Sequence, residues 1–127
     1  MSRTETSSER FHFRPHERLR KGADFKAVFG QGRRFRGQMV TVVAAHNGRT
    51  HSRLGVVASR RVGGAVRRNR AKRLMREAFR LNKHLVPANV DIIMIASPRL
   101  ADDVVFADLA PEVKDIFRRI GETFVSG

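Results

Sequence analysis

The sequence predicts an α+β fold, a single domain in which about three helices pack on one small central sheet. Three observations lead to this fold class. The chain has 127 residues, of which 41% are hydrophobic, and this is enough for one modest core. Apolar residues recur at helical spacing in some segments and form short β-branched runs in others. Glycine and proline separate these segments, and no internal repeat is present.

The N-terminal part of the sequence predicts a flexible arm followed by a short helix. Residues 1–14 are polar and aperiodic apart from two phenylalanines, so we expect an arm there and one folded domain over residues 15–127. Apolar side chains then recur at positions i, i+3 and i+4, which share one face of a helix. They are Phe25, Val28 and Phe29. The spacing predicts a helix over Ala23–Phe29.

Two apolar runs separated by turn residues predict an antiparallel β-hairpin. Met39–Ala45 is rich in β-branched residues, and His46, Asn47 and Gly48 follow it as a turn signal. Leu54–Ser59 is the second run. Phe35 is expected in a short strand that precedes the pair.

The second half of the chain predicts a helix, a strand and a helix. The long helix covers Ala65–Lys83, and the strand covers Asp91–Ser97. The last helix covers Asp108–Ile120. Because Pro111 is tolerated only within a first helical turn, we expect Asp108 to be the N-cap.

The charge distribution predicts a polyanionic partner. The formal net charge is +14, and the sequence pI is about 11.8. Residues 1–80 contain 21 basic and 5 acidic side chains, whereas residues 81–127 contain 5 and 7. Arginine supplies 21 of the 26 positive charges, and its guanidinium group suits bidentate phosphate contacts. RNA or DNA is therefore the expected partner; a merely basic protein or a ligand of acidic membranes is the alternative.

The long helix places its positive charges on one face. At 100° per residue, its apolar side chains fall on one arc: Ala71, Leu74, Met75, Ala78, Phe79, Leu81 and Leu85. The polar arc opposite contains Asn69, Lys72, Arg73, Arg76 and Arg80. Like charges at this spacing destabilise an isolated helix, and phosphates of a bound polyanion would offset the repulsion. Gly63 and Gly64 also leave backbone amides at the helix start open to close approach by a phosphate.

Several function classes are excluded or disfavoured. The chain has no cysteine, which excludes disulfides and thiolate metal sites. The longest apolar run, Ile92–Ala96, is too short to span a bilayer, and the N-terminus lacks a signal-peptide pattern. We therefore expect a cytoplasmic protein without a membrane partner. The histidines lack metal-ligand spacing, so we expect no metal site and no catalytic side chain in the protein itself. They are His12, His16, His46, His51 and His84.

The run Ser59–Phe79 closely resembles the signature of the bacterial ribonuclease P protein family. It contains a basic pair, a glycine, Ala-Val, Arg-Asn-Arg, and Lys-Arg with an arginine three residues later. The segment from Arg18 to Gly32 is similar to the first helix of that family. The resemblance covers about Arg18–Ile120.

This resemblance implies both a fold and a function. The implied fold is a compact α/β sandwich with an unusual left-handed βαβ crossover around Ala65–Lys83. The implied function is that of the protein subunit of ribonuclease P, which binds the catalytic RNA and the 5′ leader of precursor tRNA and promotes endonucleolytic 5′ maturation. The RNA subunit would supply the active site with Mg²⁺, and no obligate protein partner is expected. A ribosomal or other general RNA-binding protein is the alternative. A helix-turn-helix DNA-binding protein is disfavoured, because a strand precedes the basic helix.

The candidate site residues fall into two groups. The expected RNA-binding residues, from the resemblance and the charged face together, are Arg60, Arg61, Arg67, Arg68, Asn69, Arg70, Lys72, Arg73, Arg76 and Arg80. The resemblance also implies that Phe25 and Phe29 contact the leader, although phenylalanines at i and i+4 commonly serve a core. Many family members have an aromatic residue on the strand that lines the leader cleft. This chain has none there, and we expect Val43 to make an aliphatic contact instead.

Overall fold

A computed structural model of the chain describes residues 17–101 and 106–124. The predicted arm, residues 1–14, lies outside the described residues. The helices are α1 (Gly22–Gln31), α2 (Ala65–Asn82) and α3 (Phe106–Phe124). The strands are β1 (Arg33–Arg36), β2 (Val40–His46), β3 (Arg53–Val57) and β4 (Val90–Ala96). Short 3₁₀ turns cover Lys83–Leu85 and Pro98–Ala101. The predicted fold class, with three helices on one sheet, is confirmed.

The four strands form one mixed sheet in the order β1-β2-β4-β3. The prediction that β2 and β3 form a hairpin is wrong, because β4 lies between them, antiparallel to β2 and parallel to β3. Six of the seven β4 residues are buried, so β4 needs a neighbour on both edges and cover on both faces. The β2–β4 pairing continues one residue past His46, since the Asn47 backbone N–H donates to the carbonyl oxygen of Asn89 at 2.8 Å. The connection β3–α2–β4 is the βαβ crossover that the resemblance implies; its left hand stays a prediction.

The bounds of α1 and α2 lie within two residues of the predictions, whereas α3 begins two residues earlier and ends four residues later than predicted. This helix begins at Phe106, so Pro111 lies beyond the first turn and Asp108 lies within it. The predicted N-cap role of Asp108 is therefore wrong. Leu109 is fully buried and Phe106 packs against the core, so apolar burial extends the helix past the proline.

The sheet separates two apolar cores. Alternate strand residues such as Val42, Ile92 and Leu54 pack against α2 and α3 on one face. Val43 and Ile93 point to the other face, where α1 contributes Val28 and Phe25. Helix α1 therefore lies alone on one side of the sheet, and α2 lies on the opposite side with its buried face toward the sheet.

Candidate nucleic-acid interface

Helix α2 presents its basic side chains away from the core because its apolar stripe is firmly buried. Ala71, Met75 and Phe79 are all fully buried against the sheet and α3. Asn69 and Arg73 are consequently exposed on the outer face. The predicted division of this helix into an apolar face and a cationic face is confirmed.

The turn before α2 extends the basic surface. Arg60 and Arg61 are exposed there, in a turn closed by a hydrogen bond from the Gly63 N–H to the Arg60 carbonyl at 3.1 Å. Gly63 has φ +143°, and a Cβ at this position would also contact the Arg67 side chain at 2.6 Å. Arg67 Nε in turn donates to the Val62 carbonyl at 3.3 Å. The turn therefore requires glycine and positions Arg67 beside the start of the helix.

The electrostatics of α2 show a positive surface with little internal compensation. Burial lowers the pKa of Arg76, and the positive charges of Arg18 and Arg73 lower it further, although an arginine stays protonated. Arg80 donates to Glu77, with Arg80 Nη2 2.6 Å from a carboxylate oxygen, and this hydrogen bond is the main cause of the lowered pKa of Glu77. Arg80 thus lies on the predicted face but already has an acidic partner.

Arg68 and Arg70 are half-buried, as Lys72 and Arg76 of the same motif are, whereas Arg73 is exposed. Arg68 Nε is buried without a hydrogen-bond partner among residues 17–101 and 106–124. A buried guanidinium N–H without an acceptor is costly, and this unsatisfied donor lies within the basic motif.

A cavity of about 210 Å³ connects the cationic face of α2 with α1. Among the described residues that line it, none is acidic and four are basic: Arg18, Arg20, Lys72 and Arg76. The rest of the wall is apolar and includes Phe25 of α1 and Gly55 of β3, together with Leu19, Leu54 and Val56. A Cβ on Gly55 would collide with the Phe25 ring, so glycine is what allows the ring to lie on the strand.

The sheet surface beside α1 is partly open. Strand pairing places Val57, Ile95, Thr41 and Arg36 opposite one another in a single row that crosses all four strands. The side chains of Val57, Ile95 and Thr41 are half-buried and Arg36 is exposed, so α1 does not cover this row. We call the three half-buried residues, Val57, Ile95 and Thr41, the open row.

The predicted leader-binding residues have different environments. Phe25 is half-buried in the cavity wall, and Phe29 is 39% exposed with Arg34 Cζ 5.8 Å from its ring centroid. Val43 is fully buried beneath α1, where a Cβ on Gly32 would lie 2.6 Å from its Cγ1. Val43 therefore belongs to the core and does not line an open surface. The expectation of a contact between Val43 and the leader is corrected accordingly.

The open row and the two arginines at residues 18 and 20 are candidate functional positions that the sequence patterns did not predict. Strand alternation separates Thr41 from Val42, but it does not tell which face a helix leaves uncovered. Arg18 lies beside β3 because the next residue donates its backbone N–H to the Leu54 carbonyl at 2.8 Å. The run Arg18–Lys21 is basic, and its charge is the signal that could have identified it.

Acidic side chains near this surface hold the fold together. Asp91 accepts hydrogen bonds from Arg53, and Glu17 lies 2.8 Å from Lys83 Nζ. Among residues 17–101 and 106–124, no group of three or more histidine, aspartate or glutamate side chains is placed to hold a metal ion. Within the same ranges, no helix is both long and apolar enough to cross a bilayer.

Comparison with known proteins finds one family throughout. Residues 13–121 match the family model described as Ribonuclease P. The chain is 36% identical to the ribonuclease P protein component of Thermotoga maritima over 111 residues, which cover 85% of this chain and 95% of the relative. Identity to the ribonuclease P protein component of Syntrophobacter fumaroxidans is 44% over 106 residues, covering 83% and 88%.

Solved structures agree with these matches. The RNase P protein from Thermotoga maritima superposes with a TM-score of 0.74 at 36% identity, covering 82% of this chain and 97% of that one. A Staphylococcus aureus RNase P protein mutant, described as defective in mRNA degradation activity, also superposes with a TM-score of 0.74. Its sequence identity is 27%, and the match covers 94% of this chain and 97% of the mutant chain. The alternative of a ribosomal or general RNA-binding protein has no support among these matches.

Proposed function

The chain belongs to the bacterial ribonuclease P protein family, and from this membership we propose how its surfaces divide the work of the holoenzyme. As a member of the family it is a tRNA-processing subunit of an RNA–protein endonuclease and acts with the ribonuclease P RNA. The finer proposal has two parts. The outer face of α2 binds the RNA subunit, and the cavity with the open row binds the 5′ leader of precursor tRNA.

The assignment of the RNA subunit to α2 is supported by charge and accessibility together. Arg60 and Arg61 are exposed in the turn before α2, and Arg73 is exposed on the helix together with Asn69, which adds a hydrogen-bonding group. Phosphate oxygens supply both the opposite charge and the acceptors, and binding them releases counterions.

The assignment of the leader to the other surface rests on one observation above all: the basic cavity opens beside an aromatic ring and an uncovered strip of sheet. A single-stranded RNA needs cations for its backbone and flat or apolar surfaces for its unstacked bases. Lys72 and Arg76 supply the cations, and Phe25, Phe29 and the open row supply the surface for the bases. Stacking on phenylalanine is tolerant of sequence, which suits a protein that meets many leaders.

We place catalysis on the RNA subunit. Hydrolysis of a phosphodiester with Mg²⁺ needs converging oxygen ligands, and the described carboxylates near the interface serve other contacts: Asp91 binds Arg53, and Glu77 binds Arg80. The protein would contribute positive charge that offsets phosphate repulsion between RNA subunit and substrate. We further propose that it works in the cytoplasm and needs no other protein partner.

Salt-dependent binding of the RNA subunit tests the first part. Arg73→Ala removes an exposed charge from the proposed RNA face, and Arg118→Ala removes an exposed charge from α3 as the matched control. We expect Arg73→Ala to weaken binding and to lower the slope of log K against log salt by about 0.7–0.9, the value for one lost phosphate contact. We expect Arg118→Ala to leave the slope unchanged. Equal slopes for Arg73→Ala and wild type would overturn the assignment.

The leader assignment is tested with paired substrates. Phe25→Leu keeps an apolar side chain in the cavity wall but removes the ring, so the loss of affinity should be larger for leader-bearing precursor than for mature tRNA. The measurement is the affinity of the reconstituted holoenzyme for each RNA. Equal losses for the two RNAs would mean that Phe25 serves packing alone.

A further inference from the structure

Strand β1 is an unusually basic edge of the sheet. Among the described strands it pairs with β2 alone, and three of its four residues are exposed arginines, at positions 33, 34 and 36. No carboxylate among the described residues forms an ion pair with any of the three. The sequence motifs discussed above do not include them, and the proposed function does not use them.

The pleat divides the three arginines between the two faces of the sheet. Arg34 lies opposite Val43 and Arg36 lies opposite Thr41, so both point to the face that carries α1 and the open row. Arg33 points to the other face together with Phe35, which packs against the core beneath α2 and α3. Two of the charges are therefore on the proposed leader surface, and one is not.

The open row leads from the basic cavity to these two arginines. Four strands about 4.8 Å apart place Arg36 about 14 Å from Val57, at the far end of the open row. At the β3 end lie the cavity and its basic side chains, and at the β1 end Arg36 closes the row. Arg34 lies beside it with its guanidinium carbon 5.8 Å from the centre of the Phe29 ring. The surface is thus cationic at both ends and largely apolar between them.

Charged side chains on an edge strand commonly prevent edge-to-edge pairing of sheets, and β1 is an edge strand. A charge on either face of the strand has this effect. This effect does not account for two like charges at i and i+2 on the same face, where they repel each other, nor for the position of one of them over an exposed aromatic ring. Phosphates running along this face would offset the repulsion.

We propose that Arg34 and Arg36 form an exit site, which binds backbone phosphates of the leader after it has crossed the open row. The inference rests on the proposed leader surface. Because the β3 end lies next to the RNA face of α2, nucleotides close to the cleavage point occupy that end, and the distal 5′ nucleotides reach β1. A short leader ends before the exit site, and a long leader engages it.

The test compares leaders of two lengths on the reconstituted holoenzyme. Precursors with leaders of about 3 and about 12 nucleotides lie below and within the site sizes of sheet-based single-strand binders. The variant Arg34→Gln/Arg36→Gln removes both charges of the exit site, and Arg33→Gln removes a charge of equal exposure from the same strand on the opposite face. Affinities are measured over a range of salt concentrations.

We expect the double variant to bind the long-leader precursor about 5–20-fold more weakly, with a smaller salt slope, and to bind the short-leader precursor as wild type does. Arg33→Gln should change both affinities by less than about 2-fold. Arg34→Lys/Arg36→Lys keeps the charges and should retain most of the long-leader affinity. These results together would support the exit site.

Four results would overturn the proposal, and they separate it from the leader assignment. Equal losses for short and long leaders, or an equal loss for Arg33→Gln, would show a general charge effect. If the wild-type holoenzyme binds a short leader more tightly than no leader, but binds long and short leaders equally, the exit site is refuted and the leader surface is not. If the wild-type holoenzyme binds leader-bearing and leaderless RNA with equal affinity, both the leader surface and the exit site are refuted.

Discussion

Replacing Asp91 with alanine should destabilise the protein by about 3–5 kcal/mol, the cost of removing one partner from a buried ion pair. The Asp91 side chain is 4% exposed and that of Arg53 is 12% exposed. Arg53 donates to Asp91 through Nε at 3.0 Å and Nη2 at 2.6 Å, and the Asn47 amide donates to the same carboxylate at 2.7 Å. The pair raises the pKa of Arg53, chiefly through the hydrogen bond to Asp91. Without Asp91, the remaining ion pair of Arg53 among residues 17–101 and 106–124 is the longer contact to Asp24, at 3.3 Å.

A double-mutant cycle separates the ion pair from simple loss of packing. Arg53→Met and Asp91→Ala each leave one group without its main partner, whereas the double variant leaves neither charge buried alone. The double variant should therefore be more stable than the sum of the two losses predicts, by about 2 kcal/mol or more.

Urea unfolding followed by far-UV circular dichroism is the suitable assay. The chain has neither tryptophan nor tyrosine, so intrinsic fluorescence is a poor signal. Urea is uncharged and does not screen the ion pair as guanidinium would. A loss below about 1 kcal/mol for Asp91→Ala, or simple additivity of the two single variants, would refute this reasoning.

Two further predictions concern Gly55 in the cavity wall and Glu112, which binds the turn between β1 and β2. Gly55→Ala must displace the free edge of the half-buried Phe25 ring. We therefore expect it to reduce the affinity for leader-bearing precursor several-fold, while the free energy of unfolding changes by less than about 1 kcal/mol. Unchanged affinity in a binding assay together with a large loss of stability in urea would place Phe25 in the core. Glu112→Ala removes the acceptor for the backbone N–H groups of Gln38, Met39 and Val40, at 3.1, 2.8 and 2.9 Å. It should cost about 2–3 kcal/mol and accelerate amide hydrogen exchange at these residues, unlike the control Glu122→Ala on the same helix, and unchanged exchange would contradict this role.

Local sequence patterns were sufficient for the elements and for the cationic helix. The i, i+3, i+4 spacing around Phe25 identified α1, and the two arcs of α2 separated Met75 and Phe79 in the core from Asn69 and Arg73 on the surface. These properties depend on residues within a few turns of one another, which is why one sequence predicts them. The start of α3 was predicted wrongly from local pattern, because burial of Leu109 outweighed the local cost of a proline inside the helix.

By itself, then, the sequence determined one α+β domain, a helix with one basic face, and a resemblance that the family comparison confirms. Only the tertiary structure decided that β4 lies between β2 and β3, that Val43 is buried beneath α1, and that Thr41 and Ile95 form an open row leading to Arg36. The alternation of side chains along a strand defines its two faces, but it does not show which strands lie beside it or which helix packs on each face. Which face is covered depends on strand order and on where a distant helix packs, and both follow from the burial of apolar surface by the whole chain.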